Sequence, residues 1–191
     1  MNSQIILQNI SKHISLTPDE EEYFTSLLIE KTYKSEQLIT KEGSISKYIT
    51  FINKGCCRTF ILDKNGFEHI LSFASKDYWV GDLYSRTQQK SGILYVQAME
   101  ETEVLQMSLS NLNALYLKIP KFERMFRILS ENAYIQTQNR VMEFLSLSAE
   151  ERYYRFLDRF DAIKDQLPQK QIALYLGVTP EFFSRMKKKL K

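Results

Sequence analysis

The sequence predicts an α+β fold: a sandwich or rolled barrel of short strands with flanking helices, then a long central helix, then an all-α helix–turn–helix domain. Three observations carry this. Between about Thr32 and Met107, short runs rich in Ile, Tyr, Phe, Val and Thr alternate with turn signals. A helical pattern opens at Pro120 and continues to about Leu147. Near the end, Gly177-Val178-Thr179-Pro180 separates two short amphipathic runs.

The elements follow in order. Ile5 to Ile10 suits a short helix. Thr17-Pro18-Asp19-Glu20 starts another, with Thr17 as cap, Pro18 in the first turn and Glu20 completing a capping box. Phe24, Leu27 and Leu28 supply its apolar face. The strand runs are QLIT, YITFI, CCRTFIL, FEHILSF, YWVGDL, ILYVQAME and TEVLQMS. CCRTFIL and FEHILSF form a hairpin around a tight Asn65-Gly66 turn. No helical stretch of crossover length interrupts these runs, which argues against a parallel α/β sheet. Ser110 is read as the cap of a short helix through Leu117. The helix after Pro120 would span roughly 40 Å at 1.5 Å per residue. It is apolar at Phe122, Met125, Phe126, Leu129 and Ala133 and polar at Gln136–Asn139. A further helix begins near Ser148-Ala149-Glu150-Glu151, pairing Phe156 with Phe160, and Leu167-Pro168 breaks the chain before the last two.

Composition excludes several function classes. Of the 191 residues, 43% are hydrophobic and 26% charged, ordinary for a globular chain. No apolar run reaches membrane-spanning length, and the N-terminus lacks a secretory signal pattern, so a cytoplasmic location is expected. With two histidines, His13 and His69, and two adjacent cysteines, no metal-ligand set is expected. Alternation along a strand places one of Cys56 and Cys57 inward and one outward. No Ser-His-Asp or Cys-His set and no phosphate-binding glycine loop stands out, so no catalysis is expected. Charge is uneven: residues 148–191 hold ten basic and six acidic groups, whereas 1–147 hold sixteen and seventeen. A basic terminal segment points to a polyanionic partner.

The C-terminal segment reads as a DNA-binding unit. Ile172 and Leu176 face inward, Ala173 allows a close helix crossing, and Gly177 makes the turn. Val178 fills the space between the helices, Thr179 caps the second helix, Pro180 opens it, and Phe183 and Met186 return to the core. Glu181, Phe182, Ser184, Arg185 and Lys188 are left outward. In a major groove, Arg185 forks onto guanine and Glu181 accepts from cytosine. Ser184 and the capped helix ends hold phosphate. Lys187, Lys188, Lys189 and Lys191 add salt-sensitive attraction. Such readers commonly pair as dimers, and the long central helix offers the interface.

Gly81-Asp82-Leu83 within YWVGDLYS, then YVQAMEETEVLQMS, SAEERYYRFL and PQKQIALYLGVTPEFFSRMKKKL together resemble the Crp/Fnr family of bacterial transcription regulators. The resemblance covers nearly the whole chain. Its last two blocks are similar to short, lysine-ended Bacteroidetes-type members. It implies a β-roll, or jelly roll, of cyclic-nucleotide-binding type over residues 1–117. A central dimerisation helix over 118–147 and a helix–turn–helix DNA-binding domain over 148–191 follow. It also implies effector contacts at Gly81, Asp82, Leu83, Lys90 and Ser91, and Glu181 and Arg185 match its DNA-recognition positions; the helical reading adds DNA contacts at Thr179, Pro180, Phe182, Ser184, Lys187 and Lys188. The implied ligand is a cyclic nucleotide or other small anionic effector. Asp82 is shorter than the family's glutamate, and no arginine stands beside Ser91. Bulky Met125 and Phe126 stand where small hydroxyls are expected, and the chain stops at Lys191 without a wing. The alternative is a ligand-binding signalling module whose terminal helices contact protein rather than DNA.

Overall fold

The computed structural model describes residues 2–190, so Met1 and Lys191 lie outside the described residues. It separates into two units. One comprises the chain up to Thr59 together with Ala74–Glu131; the other comprises Phe60–Phe73 and the chain from Asn132 onward.

In the first unit, α1 (Gln4–Ser11) and α2 (Pro18–Ser26) precede the strands. The Thr17–Glu20 capping box forms as predicted: Glu20 N–H donates to the Thr17 hydroxyl and Thr17 N–H to the Glu20 carboxylate. Eight strands follow: β1 (Ile29–Tyr33), β2 (Leu38–Thr40), β3 (Tyr48–Lys54), β4 (Cys56–Leu62), β5 (Glu68–Ser75), β6 (Tyr78–Val80), β7 (Tyr95–Ala98) and β8 (Thr102–Ser108). They make two four-stranded sheets, ordered β1-β8-β3-β6 and β2-β7-β4-β5. The pairings β1–β8, β3–β8, β3–β6 and β2–β7 are antiparallel. Ile52, Cys57, Ala74 and Val96 form one buried cluster. A larger one joins Ile6, Ile10, Phe24, Phe51, Leu105 and Leu112 to Phe122 of the long helix, where Phe24 and Phe122 stack at 5.1 Å.

Several details depart from the sequence reading. Strand β1 was not expected, because only Tyr33 of its five residues is buried. A six-residue helix, α3 (Leu83–Gln88), follows β6 and is capped by Asp82. Helix α4 (Leu109–Lys118) is capped by Ser108, whose hydroxyl accepts from Asn111 N–H at 3.1 Å, so Ser110 lies inside the first turn. The β4–β5 hairpin has a three-residue loop, Lys64–Gly66. Only Gly66 is left-handed (φ 81°), and Asp63 closes the loop by accepting from Asn65 and Phe67 N–H. Those hydrogen bonds, that of Phe67 foremost, and His69 at 3.2 Å hold the Asp63 carboxyl below its usual range.

Both cysteines are buried, correcting the expected split. Strand β4 is interior to its sheet, and the Met99–Glu100 segment runs against it, with Met99 N–H donating to the Cys56 carbonyl at 2.8 Å. Burial pushes both thiols up to about 12. Neither thiol is therefore a thiolate at neutral pH. Iodoacetamide is expected to label neither in the folded protein and both after denaturation, as mass spectrometry would read.

Helix α5 (Lys121–Ser146) runs for 26 residues. Phe122 and Met125 are buried, whereas Tyr134, Ile135, Val141, Met142 and Leu145 are exposed. The second unit is built on α6 (Ala149–Arg159), α7 (Gln169–Leu176) and α8 (Pro180–Lys189). Tyr153, Phe156, Ile172, Leu176, Phe183 and Met186 form its core. The outer part of the β4–β5 hairpin, Phe60–Phe73, belongs to it: Phe73 meets Phe160 at 5.5 Å and Tyr175 at 5.8 Å.

Candidate nucleic-acid interface and effector pocket

The turn between α7 and α8 is fixed from both sides. Gly177 is left-handed (φ 70°); its N–H donates to the Leu174 carbonyl and Val178 N–H to the Ala173 carbonyl. This pair of bonds is a Schellman ending. A Cβ on Gly177 would stand 2.8 Å from the Phe144 ring of α5. Gly177→Ala therefore combines a disfavoured backbone with a contact that must shift, and is expected to cost about 1–3 kcal/mol. Thermal unfolding would read it.

Two arginines close the carbonyl end of α7. Arg140 donates to Tyr175 O at 2.9 Å and lies over the Tyr175 ring at 3.9 Å; Arg152 donates to Leu176 O at 3.1 Å and lies over Phe144. Positive charge at a helix C-terminus is favourable. Arg140 also donates to the carbonyls of Ile70, at 2.7 Å, and Leu71 in the hairpin. Burial lowers the Arg140 pKa from its ordinary value. Arg159 bridges the Tyr175 hydroxyl and the Glu143 carboxylate, both at 2.7 Å. Part of the basic surplus counted over 148–191 is thus internal scaffolding: Arg152 and Arg159 hold the helices together.

The charge that remains outward is concentrated on α8. Thr179 caps it, accepting from Phe182 N–H at 3.2 Å. Phe183 and Met186 are buried, and Phe183 meets Tyr153 of α6 edge-on at 5.2 Å. The opposite face carries Glu181, Ser184, Arg185 and Lys188, all exposed, at spacings that keep them on one side of the helix. Thr179, Pro180 and Phe182 are exposed at its start, and Lys187 is half-buried on its flank. The helix therefore offers a capped N-terminus, an arginine fork and a basic last turn, the chemistry a major groove and its phosphates require.

The effector residues gather less completely. A cavity of about 590 Å³ in the first unit is lined by Gly81, Asp82, Leu83, Tyr84, Ser91, Ile93 and Leu94. Lys90 is exposed and not part of the lining; its carbonyl accepts from the Ser85 hydroxyl at 2.7 Å. Asp82 is buried. Its Oδ1 accepts from Ser85 N–H at 2.9 Å, while Oδ2 is buried without a partner. A Cβ on Gly92 would stand 2.0 Å from that oxygen, so any larger residue there must displace the Asp82 carboxylate. The sequence reading missed this role of Gly92, although its place after Ser91 was a signal. The lining holds one carboxylate and no lysine or arginine, so a phosphate bound there finds no cation.

Residues 30–118 match the cyclic nucleotide-binding domain family. An anaerobic regulatory protein of Pasteurella multocida is 26% identical over 168 residues, covering 82% of this chain and 60% of that protein. The transcriptional activator Anr of Pseudomonas protegens is 26% identical over 166 residues, covering 80% and 66%. The chain is thus similar to bacterial regulators of the Crp/Fnr type. The chain spans about 60% of the Pasteurella relative's length. It shares its fold with FixK2 from Bradyrhizobium japonicum, at a TM-score of 0.72 and 21% identity, covering 85% of this chain and 84% of that one. It also shares it with the regulator CLP from Xanthomonas campestris, described as c-di-GMP-responsive, at a TM-score of 0.76 and 14% identity, covering 91% of each. Among the described residues, no helix is long and apolar enough to cross a membrane.

Proposed function

We propose that the chain is a cytoplasmic, non-catalytic, DNA-binding transcription regulator that acts as a homodimer and answers to a small molecule. The observation that carries the reading is the outward row Glu181, Ser184, Arg185 and Lys188 on a capped helix whose other face is buried. The names of its relatives, regulators and a transcriptional activator, support the same reading.

Residues 148–191 serve as the DNA-binding part, 118–147 as the dimerisation helix and 1–117 as the effector part. On α5, Tyr134 and Val141, and Ile135 and Met142, are exposed at seven-residue spacing. That spacing suits a helix pair. The effector pocket at Asp82 favours an uncharged ligand, because its lining holds one carboxylate and no cation for a phosphate. The ligand acts by binding one spacing of the two α8 helices more tightly than the other.

The test is selection of bound fragments from the genome of origin with the full chain. Enrichment of a two-fold-related sequence, with half-sites about 34 Å apart, supports the reading. Recovery of no sequence above nonspecific background would overturn it, and a purified protein partner gripping α8 instead would favour the signalling-module alternative.

A further inference from the structure

A second cleft in the first unit has a different character. It holds about 520 Å³ among α3, α4 and the first half of α5, and shares only Leu83 with the cavity at Asp82. That is a usual volume for a small-molecule site. Its apolar wall is Leu109, Leu112 and Phe126.

Its cation is Arg86. Burial depresses the Arg86 guanidinium from its ordinary value, and the Tyr116 phenol beside it offsets this only in part. Among the described residues, the guanidinium has no hydrogen-bond or ion-pair partner. Arg86 is half-buried and lines the cleft, so its five N–H donors can meet an anion there. The other arginine at the cleft, Arg127, is already paired with Glu131 at 2.6 Å. Gln89 and Asn113 add amides to the lining.

We propose that this cleft is a separate binding site for a small monocarboxylate with an apolar body. The carboxylate engages the Arg86 fork, and the body lies against Leu109, Leu112 and Phe126. A guanidinium matches a carboxylate through two parallel bonds. Glu123, exposed at the same cleft, disfavours a second negative charge, so a monoanion fits better than a phosphate dianion. This site goes beyond the effector pocket and does not depend on whether the chain binds DNA.

Benzoate titrated into the full chain tests it, read by calorimetry and by thermal shift, since a ligand of the folded state raises Tm. Benzoate is expected to bind saturably, whereas benzyl alcohol and benzylammonium, with the same ring and no anion, are expected to bind at least tenfold more weakly. Arg86→Gln is expected to weaken benzoate at least tenfold. Tyr84→Ala, which alters only the Asp82 cavity, is expected to leave benzoate unchanged. Absence of saturable benzoate binding, equal binding of benzyl alcohol, an unaffected Arg86→Gln, or an equal loss in Tyr84→Ala would each overturn the proposal. Should Arg86→Gln fail to fold, the ring series on the wild type decides alone.

Discussion

Arg140→Ala is expected to lower stability by about 3 kcal/mol, a loss of the size usually seen for a core side chain. One guanidinium serves three carbonyls, those of Ile70, Leu71 and Tyr175, and also lies over the Tyr175 ring. Alanine leaves those acceptors without a donor and removes the positive charge from the end of α7. Hydrogen bonds to a charged donor contribute about 1.5–3 kcal/mol each when buried, and the partly exposed Leu71 carbonyl contributes less. For a chain of this size the loss corresponds to a fall in Tm of about 6–12 °C. Arg140→Lys keeps the charge but not the fork, so it is expected to recover less than half of the loss. Differential scanning calorimetry of the three proteins reads both effects. A Tm for Arg140→Ala within a degree of wild type would remove Arg140 from the account of how α7 is held.

Arg185→Ala is expected to leave Tm unchanged and to remove discrimination at one base pair of the selected site. Arg185 is exposed on α8, on the face opposite buried Phe183 and Met186. Nothing in the fold depends on it. A forked arginine–guanine contact is worth about 1–3 kcal/mol against the wrong base, roughly 5- to 150-fold in relative affinity. Lys188→Ala is expected to behave differently, weakening all sequences by a similar factor. Competition binding against operators substituted one position at a time separates the two. A uniform loss for Arg185→Ala would assign it to phosphate rather than to a base.

The contrast between Arg140 and Arg185 shows what the sequence could convey. Helix boundaries were legible wherever a cap has its own chemistry: Thr17 with Glu20, Thr179 with Pro180, and Gly177. The outward set on α8 followed from helical spacing alone. Strand β1 was not legible, because IEKTY buries one residue and lacks the apolar alternation that marks a strand. Asp82 was read as a ligand contact on resemblance, and its second role, capping α3, was hidden because α3 is too short to show a period. Most hidden was the bond between the β4–β5 hairpin and the C-terminal helices. It runs from one arginine to backbone carbonyls, which have no signature in a sequence, and through Phe73, which looked like any strand residue. The basic surplus after residue 148 misled in part for the same reason, since arginines that brace a fold and arginines that face a partner are written with the same letter.

The central claim, that the outer face of α8 engages DNA, is tested most directly by the salt dependence of operator binding. The slope of log K against log salt would be measured for the full chain and for a variant with Lys188 and Lys189 both changed to alanine. A steep negative slope is expected in the wild type, and one shallower by about two units per protomer in the variant. Binding that ignores salt, or an identical slope in both proteins, would contradict it.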